Sequence, residues 1–213
     1  MSTPLTVDDA LSGVVRPAVL VWDDTVVTDR PDALESNLAQ VVAAAVARPA
    51  AETQAVREMY RRIGLDPTKT RPSNEALLRR VRRGDAFPRV NGLVDAVNAS
   101  SLESQLPYGV YDRAALSGAL VLRLGREGEA YDGIRKDAVH VGGRLTLADD
   151  HGPFGNPTSD SARAMVTTAT RAALVVVYAP ASTSRERLGD VLHATAARIQ
   201  LAVGGRETER WIA

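Results

Sequence analysis

Phe87-Pro-Arg-Val-Asn-Gly-Leu-Val-Asp-Ala-Val-Asn98, followed by Leu106-Pro-Tyr-Gly-Val-Tyr-Asp112, decides how the rest of this chain is read. Pro88 holds the residue before it extended, so a helix begins only beyond it. Val90, Leu93, Val94 and Val97 recur with a period near 3.6 and predict a short helix with one buried face. Asn91, Asp95 and Asn98 form the polar stripe of the same helix, as ordinary amphipathicity requires. Pro107 and Gly109 then end the helix and turn the chain before Asp112.

On the N-terminal side, Ala18-Val-Leu-Val-Trp22 is a short β-branched run that predicts a buried strand within residues 14–28. Arg30-Pro31-Asp32 opens a helix, with Asp29 or Asp32 as its cap, and Leu34, Leu38, Val41, Val42 and Val46 as its stripe. Arg48-Pro49 ends it. A second helix is predicted over about 51–63 and closed by Gly64. Ser73 is placed to cap a third, Asn74 to Arg83, which points Leu77, Leu78 and Val81 inward.

Beyond Asp112 the period changes. Leu120, Leu122 and Leu124 alternate with Val121 and Arg123, so residues 119–124 form a strand. Leu145 to Ala148 is another. Ala172 to Tyr178 is the most apolar run in the chain and predicts a central strand buried on both faces. Thr183-x-x-Glu186 has capping-box spacing, and a helix of about 20 residues follows to Val203 before Gly204-Gly205. Helices first, then strands, then a last helix give an α+β class: a mixed β-sheet flanked by helices, in one domain over 1–213.

Composition narrows the function. The chain has no cysteine, which excludes thiol catalysis, thiolate metal sites and disulfides. No apolar run reaches the roughly 18 residues of a membrane span. Met-Ser-Thr-Pro-Leu-Thr-Val-Asp-Asp at the start lacks a basic segment followed by an apolar core, so a cytoplasmic protein without a membrane partner is expected. The formal net charge is zero, against a general nucleic-acid coat, yet residues 57–89 carry nine arginines and one lysine against four carboxylates, a local +6.

The run from Arg89 to Asn98, then Pro107-Tyr-Gly-Val-Tyr-Asp112, resembles the B3/B4 domain of the phenylalanyl-tRNA synthetase beta subunit. That family shows Arg-Pro-x-Asn-Asn-x-Val-Asp-x-Thr-Asn, then Pro-Leu-His-Ala-Phe-Asp. Its second signature, Leu-Asp-Gly, Val-Ile-Ala-Asp-Asp and a Gly-rich loop with Ser-Glu, is similar to three stretches here. These are Tyr131-Asp-Gly133, Leu145-Thr-Leu-Ala-Asp-Asp150 and Gly152-Pro-Phe-Gly-Asn-Pro-Thr-Ser-Asp-Ser161. The motifs match in order over about residues 55–180, and free-standing B3/B4 proteins resemble the chain more closely still. The resemblance implies a single B3/B4-like domain that binds tRNA or aminoacyl-tRNA, not DNA, and hydrolyses a misacylated ester. A complete synthetase is not implied, because 213 residues hold no adenylate-forming catalytic domain.

Carried over residue by residue, the family's asparagine matches Asn98 and its glutamate falls on Asp160. Its threonine is Val97 here and its histidine Gly109. The resemblance thus implies Asn98 and Asp160 as catalytic groups, with Asn91, Val97, Gly109, Tyr111, Thr158, Ser159 and Ser161 around the substrate. Ester hydrolysis needs a held water, a proton acceptor and donors for the oxyanion. Without the histidine, the obvious group titrating near neutrality is gone. Plainer roles stand beside these: Asn98 bridging backbone groups at the Pro107 turn, Asp160 as the N-cap of a helix over 162–165.

Arg61, Arg62, Arg79, Arg82 and Arg83 are either a solvated helix surface or a phosphate-contacting face. Few aromatic residues accompany them, which favours shape and phosphate recognition over base stacking. His140, His151 and His193 have no metal-ligand spacing, Asp149-Asp150-His151 reads as a solvated strand end, and neither metal nor cofactor is expected. From a different class, the rival reading is a non-catalytic pocket for a small amino-acid-like ligand.

Overall fold

The computed structural model describes residues 5–48, 53–134 and 137–213. The N-terminal Met-Ser-Thr-Pro, Pro49 and the start of the predicted second helix at 51–52 lie outside the described residues.

A nine-residue strand explains the architecture best. Ala172–Pro180 (β9) is buried along all but its first residue. A strand buried on both faces has neighbours on both edges and layers above and below. Val15–Asp23 (β2) and Tyr108–Asp112 (β3) flank it, both antiparallel. The final strand, Arg206–Ile212 (β10), pairs with the outer edge of β2, giving the order β10-β2-β9-β3. A second four-stranded sheet runs in the order Leu5–Val7 (β1), Leu120–Leu124 (β4), Leu145–Asp149 (β7) and Gly152–Gly155 (β8). Its β1–β4 pair is parallel and the rest antiparallel, so this sheet is mixed. A two-stranded ribbon, Ala130–Asp132 (β5) with Ala138–His140 (β6), completes the strands. The α+β class expected from the sequence is the one observed.

Among the described residues five α-helices surround the sheets: Asp32–Ala47 (α1), Gln54–Arg62 (α2), Ser73–Arg82 (α3), Gly92–Ser104 (α4) and Arg185–Val203 (α5). Successive side chains of a strand point to opposite faces, and β3 shows what each face meets. Tyr108 reaches the helical side, its hydroxyl 3.0 Å from Thr195 Oγ1 on α5. Tyr111 reaches the second sheet, where its ring stands edge-on to Phe154 of β8 at 5.0 Å. One continuous core joins both sides, and each fully buried Leu or Val in it contributes about 1.5–3 kcal/mol.

Several local expectations are corrected. Pro107 and Gly109 do not make a turn: α4 closes at Gln105 in the left-handed region (φ 59°), and the chain enters β3 directly. Val90 precedes α4 and is exposed, as is Val46 of α1. The supposed polar stripe of α4 is mostly interior. Asn91 is its N-cap, accepting from Val94 N at 3.0 Å. Asp95 is fully buried and accepts from Val90 N and Arg89 Nε at 2.8 and 2.6 Å. Arg89 also reaches Glu35 on α1 at 2.9 Å, so one guanidinium ties α4's entry to α1. Helices α1 and α3 start after Pro31 and Pro72 with no side-chain cap, so neither Asp29, Asp32 nor Ser73 caps them. The cap of α5 is Ser184, accepting from Arg187 N, one residue past the expected threonine.

Gly109 is required in β3 by the ring of Tyr111, its same-face neighbour two residues on, which lies between the two sheets. A Cβ there would lie 2.1 Å from the Tyr111 hydroxyl, and a Cβ on Gly155 of β8 would lie 2.3 Å from the same atom. The phenol occupies both side-chain positions at once. Gly109→Ala should therefore destabilise the fold by about 1–3 kcal/mol, an overpacking cost, although alanine is the better strand residue. In a urea-unfolding double-mutant cycle, the same substitution made on Tyr111→Ala should cost under ~0.5 kcal/mol. Additive costs would contradict this contact.

Candidate functional site

Asn98 lies on the partly exposed face of α4, and Thr158 lies sixty residues later in the loop after β8. They meet at one open cleft of about 590 Å³. Ser73, Ala76, Leu77 and Pro88 line part of it, and Arg71, Arg79, Arg80 and Arg83 supply its charge. Among the described residues, no carboxylate lines it. Helix α3 places Arg79, Arg80 and Arg83 because arginines at i, i+1 and i+4 fall on adjoining faces. Arg83 is paired with Asp85 at 2.8 Å, and Arg80 Nε donates to the Ala86 carbonyl at 2.6 Å. At the other end of the cleft, Arg71 Nε and Ser73 Oγ are sealed from solvent with no hydrogen-bond partner among the described residues.

The predicted arginine set is split by this geometry. Arg79 and Arg83 line the cleft, whereas Arg61, Arg62 and Arg82 do not. Arg61 pairs with Glu58 at 3.2 Å, Arg62 donates to the Gly13 carbonyl at 2.8 Å, and Arg82 bonds the Arg48 carbonyl. The predicted substrate shell also separates. Asn91 is committed to capping α4. Val97 is buried core, and Gly109 and Tyr111 form the packed contact between sheets. Ser161 is buried, its Oγ accepting from Ala164 N at 3.3 Å. Ser159 lines a crevice of about 20 Å³, room for a single water.

Asp160 does not line the cleft and caps no helix, since residues 162–165 form none. It sits among tyrosines. The Tyr111 and Tyr178 hydroxyls are 2.7 Å apart, and the Tyr131 hydroxyl donates to the Ser159 carbonyl at 2.5 Å while accepting from Asn156 Nδ2 at 2.9 Å. Asp160 Oδ1 is sealed and has no hydrogen-bond partner among the described residues, although the residue as a whole retains some exposure. Burial pushes its carboxyl up to about 7, opposed by a hydrogen bond from Tyr111. Burial, reinforced by the negative charge of Asp160, raises the phenols of Tyr111, Tyr131 and Tyr178 in turn, so all three stay protonated. Tyr60 adjoins the group through Thr158, hydroxyl to hydroxyl at 3.2 Å.

Sequence reasoning missed Tyr131, Tyr178 and Asn156 here, and Arg71, Ser73 and Arg80 in the cleft. A usable signal existed for the tyrosines: the chain has only five, and a tyrosine inside an apolar strand has a hydroxyl to satisfy. Asp149 is held by Arg163 at 2.9 Å and by Ser117 N at 3.0 Å, which accounts for the acidic strand end. Among the described residues, no group of three or more His, Asp or Glu side chains is placed to hold a metal ion.

Two four-stranded sheets, a helical layer and a basic cleft where α4 meets the loop after β8 define an α+β domain. The B3/4 domain family model matches residues 55–197, and the chain belongs to that family. A crystal structure of an N-terminal fragment of the phenylalanyl-tRNA synthetase beta-subunit from Pyrococcus horikoshii shares the fold, with a TM-score of 0.51 and 12% identity. The match covers 97% of this chain and 50% of that one, so the chain spans half the length of the fragment. No curated protein sequence matches it.

The Asp160 carboxyl gives a pH test. Its value rises from 3.8 to about 7 on folding. Between those values the folded state keeps a proton that the unfolded chain releases, so this group's contribution to stability falls as pH rises and is lost above about 7. Asp160→Asn keeps the shape of the protonated acid and cannot charge. Its melting temperature should exceed that of the wild type by at least ~2 °C at pH 8, and the gap should close towards pH 4. Thermal unfolding across this range measures it; a variant less stable at pH 8 would contradict a burial cost that outweighs the Tyr111 hydrogen bond.

Proposed function

We propose that this protein binds aminoacyl-tRNA, with the charged end of the RNA in the cleft between α4, α3 and the loop after β8. The observation that carries this is the composition of the cleft: two side chains at motif positions, Asn98 and Thr158, on a wall with four arginines and no carboxylate among the described residues. An amide and a hydroxyl suit an ester and an amino group. Arginines suit phosphate. The volume falls in the range of about 300–1,000 Å³ that ligand sites occupy, enough for the end of a strand and too small for a duplex. An amino acid alone has one carboxylate and leaves most of that wall unused, which disfavours the small-ligand reading.

Ester hydrolysis is the second reading, favoured by a carboxyl poised near neutrality with a free oxygen. In that reading Asn98 donates to the ester carbonyl, and the loop after β8 has to shift on binding to bring Asp160, two residues from Thr158, to the water whose proton it takes. The cysteine-free composition fits the cytoplasm, where charged tRNA is made. No described helix is long and apolar enough to cross a membrane.

A panel of correctly and incorrectly charged tRNAs, assayed for binding and for ester loss, tests both readings. Binding that weakens with salt is expected, and so is turnover of one ester that falls about 100-fold in Asn98→Ala. Binding without turnover would remove the hydrolytic role. Failure to bind any tRNA at low salt would contradict the proposal itself.

A further inference from the structure

The geometry points to a phosphate seat at the α3 end of the cleft, built by Arg71, Ser73 and Arg79 and occupied by phosphodiesters of a single-stranded RNA end. This rests on the RNA reading above and adds which residues hold the backbone. None of the three was marked by the family motifs.

The argument begins with unmet donors. A guanidinium Nε–H has no acceptor lone pair and can be satisfied only by an oxygen or similar acceptor. Arg71 Nε is sealed from water and has none among the described residues, and Ser73 Oγ is in the same position two residues on. Leaving a buried donor unpaired is costly, so native proteins rarely keep one without a use. Both residues line the same cleft and are only partly buried, and nothing acidic among the described residues lines it to supply the acceptor. A rotation of either side chain turns its donor to an incoming anion.

Three further features fit phosphate. Ser73 is the first residue of α3, whose N-terminus carries no side-chain cap, and the Glu75 carboxylate of that turn is neutralised by Arg57 at 2.9 Å, so the positive end of the helix dipole adjoins the two donors. Ser73 N is already committed to the Pro157 carbonyl at 3.2 Å, which leaves the hydroxyl as the group that serves a ligand. Arg79 is on the wall two turns along the helix, while Arg80 and Arg83 are partly occupied by Ala86 and Asp85. Ala76, Leu77 and Pro88 give the same cleft an apolar patch against which a ribose or base can lie. With no aromatic side chain on the wall, the contact is to backbone rather than to stacked bases.

The test is fluorescence anisotropy with a labelled single-stranded RNA ending in a free 3′-hydroxyl, repeated from low to moderate salt. Wild type, Arg71→Gln, Arg79→Gln, Ser73→Ala, and Arg61→Gln with Arg62→Gln are compared, with melting temperatures confirming the fold. Inorganic diphosphate and a hairpin without a single-stranded end serve as competitors. Each cleft arginine should reduce the slope of log affinity against log salt by about 0.7, as expected for one lost phosphate contact on a single strand. Ser73→Ala should weaken binding several-fold with the slope unchanged, because it removes a neutral donor. Diphosphate should compete and the blunt hairpin should not.

If RNA binds and neither Arg71→Gln nor Arg79→Gln changes the slope, or the Arg61 and Arg62 pair changes it as much, the seat is overturned while the RNA reading stands. If no RNA binds, both fall. If diphosphate alone protects the wild type against heat and RNA does not bind, RNA is overturned as the occupant.

Discussion

One phenol fixes the relation between the two sheets. Tyr111 leaves β3 on the face turned towards β8, and its hydroxyl lies where side chains at 109 and 155 would begin. Two glycines on different strands are required by that single ring, which also meets Phe154 edge-on and Tyr178 through its hydroxyl. Such a contact sets the separation of the layers, because a packed interior has no slack for a methyl group. In this chain the Tyr111 ring occupies the space that a side chain at 109 would need.

That choice moves the chemistry elsewhere. With 97, 109 and 111 all buried, the interior beside β3 offers hydroxyls and one carboxyl, and the open volume lies on the other side of Asn98. The cleft there is made by α4, held by the Asn91 cap and the Arg89–Asp95 pair, and by α3, which brings its arginines and its uncapped end. Asp160 is positioned between these worlds: two residues from Thr158 of the cleft, yet enclosed by tyrosines and held near neutrality. A buried carboxyl with one oxygen unpartnered is a cost to the fold, and perturbed carboxyls of that kind concentrate at functional sites.

The helices and the central strand were legible because each carries its own period. Leu34, Leu38 and Val41 mark α1; Leu188, Leu192 and Ile199 mark α5; Ala173 to Ala179 is apolar without a break. Strand β3 was not legible, because Pro107 and Gly109 read locally as breakers, and the fold of the Tyr111 ring back over position 109 is set by its packing against β8. Strand β10 was missed for a different reason. Arg206-Glu-Thr-Glu-Arg210 is polar on both faces, as an edge strand can be, and gives no apolar alternation to read. The site divided along the same line: the motifs led to Asn98 and Thr158, but their meeting depends on tertiary packing. Arg71 and Ser73 looked like a linker and a cap until α3 was seen to start at Pro72 without one.

The measurement closest to the central claim is a nuclear magnetic resonance titration of isotope-labelled protein with a short single-stranded RNA bearing an amide-linked 3′-amino acid, which cannot be hydrolysed. The account predicts that the Asn98 side-chain amide and the Arg71 Nε–H resonances shift together and saturate at one equivalent, with the Tyr111 ring unmoved. Shifts confined to α2 around Arg61 and Arg62, with Asn98 and Arg71 unchanged at saturation, would contradict it.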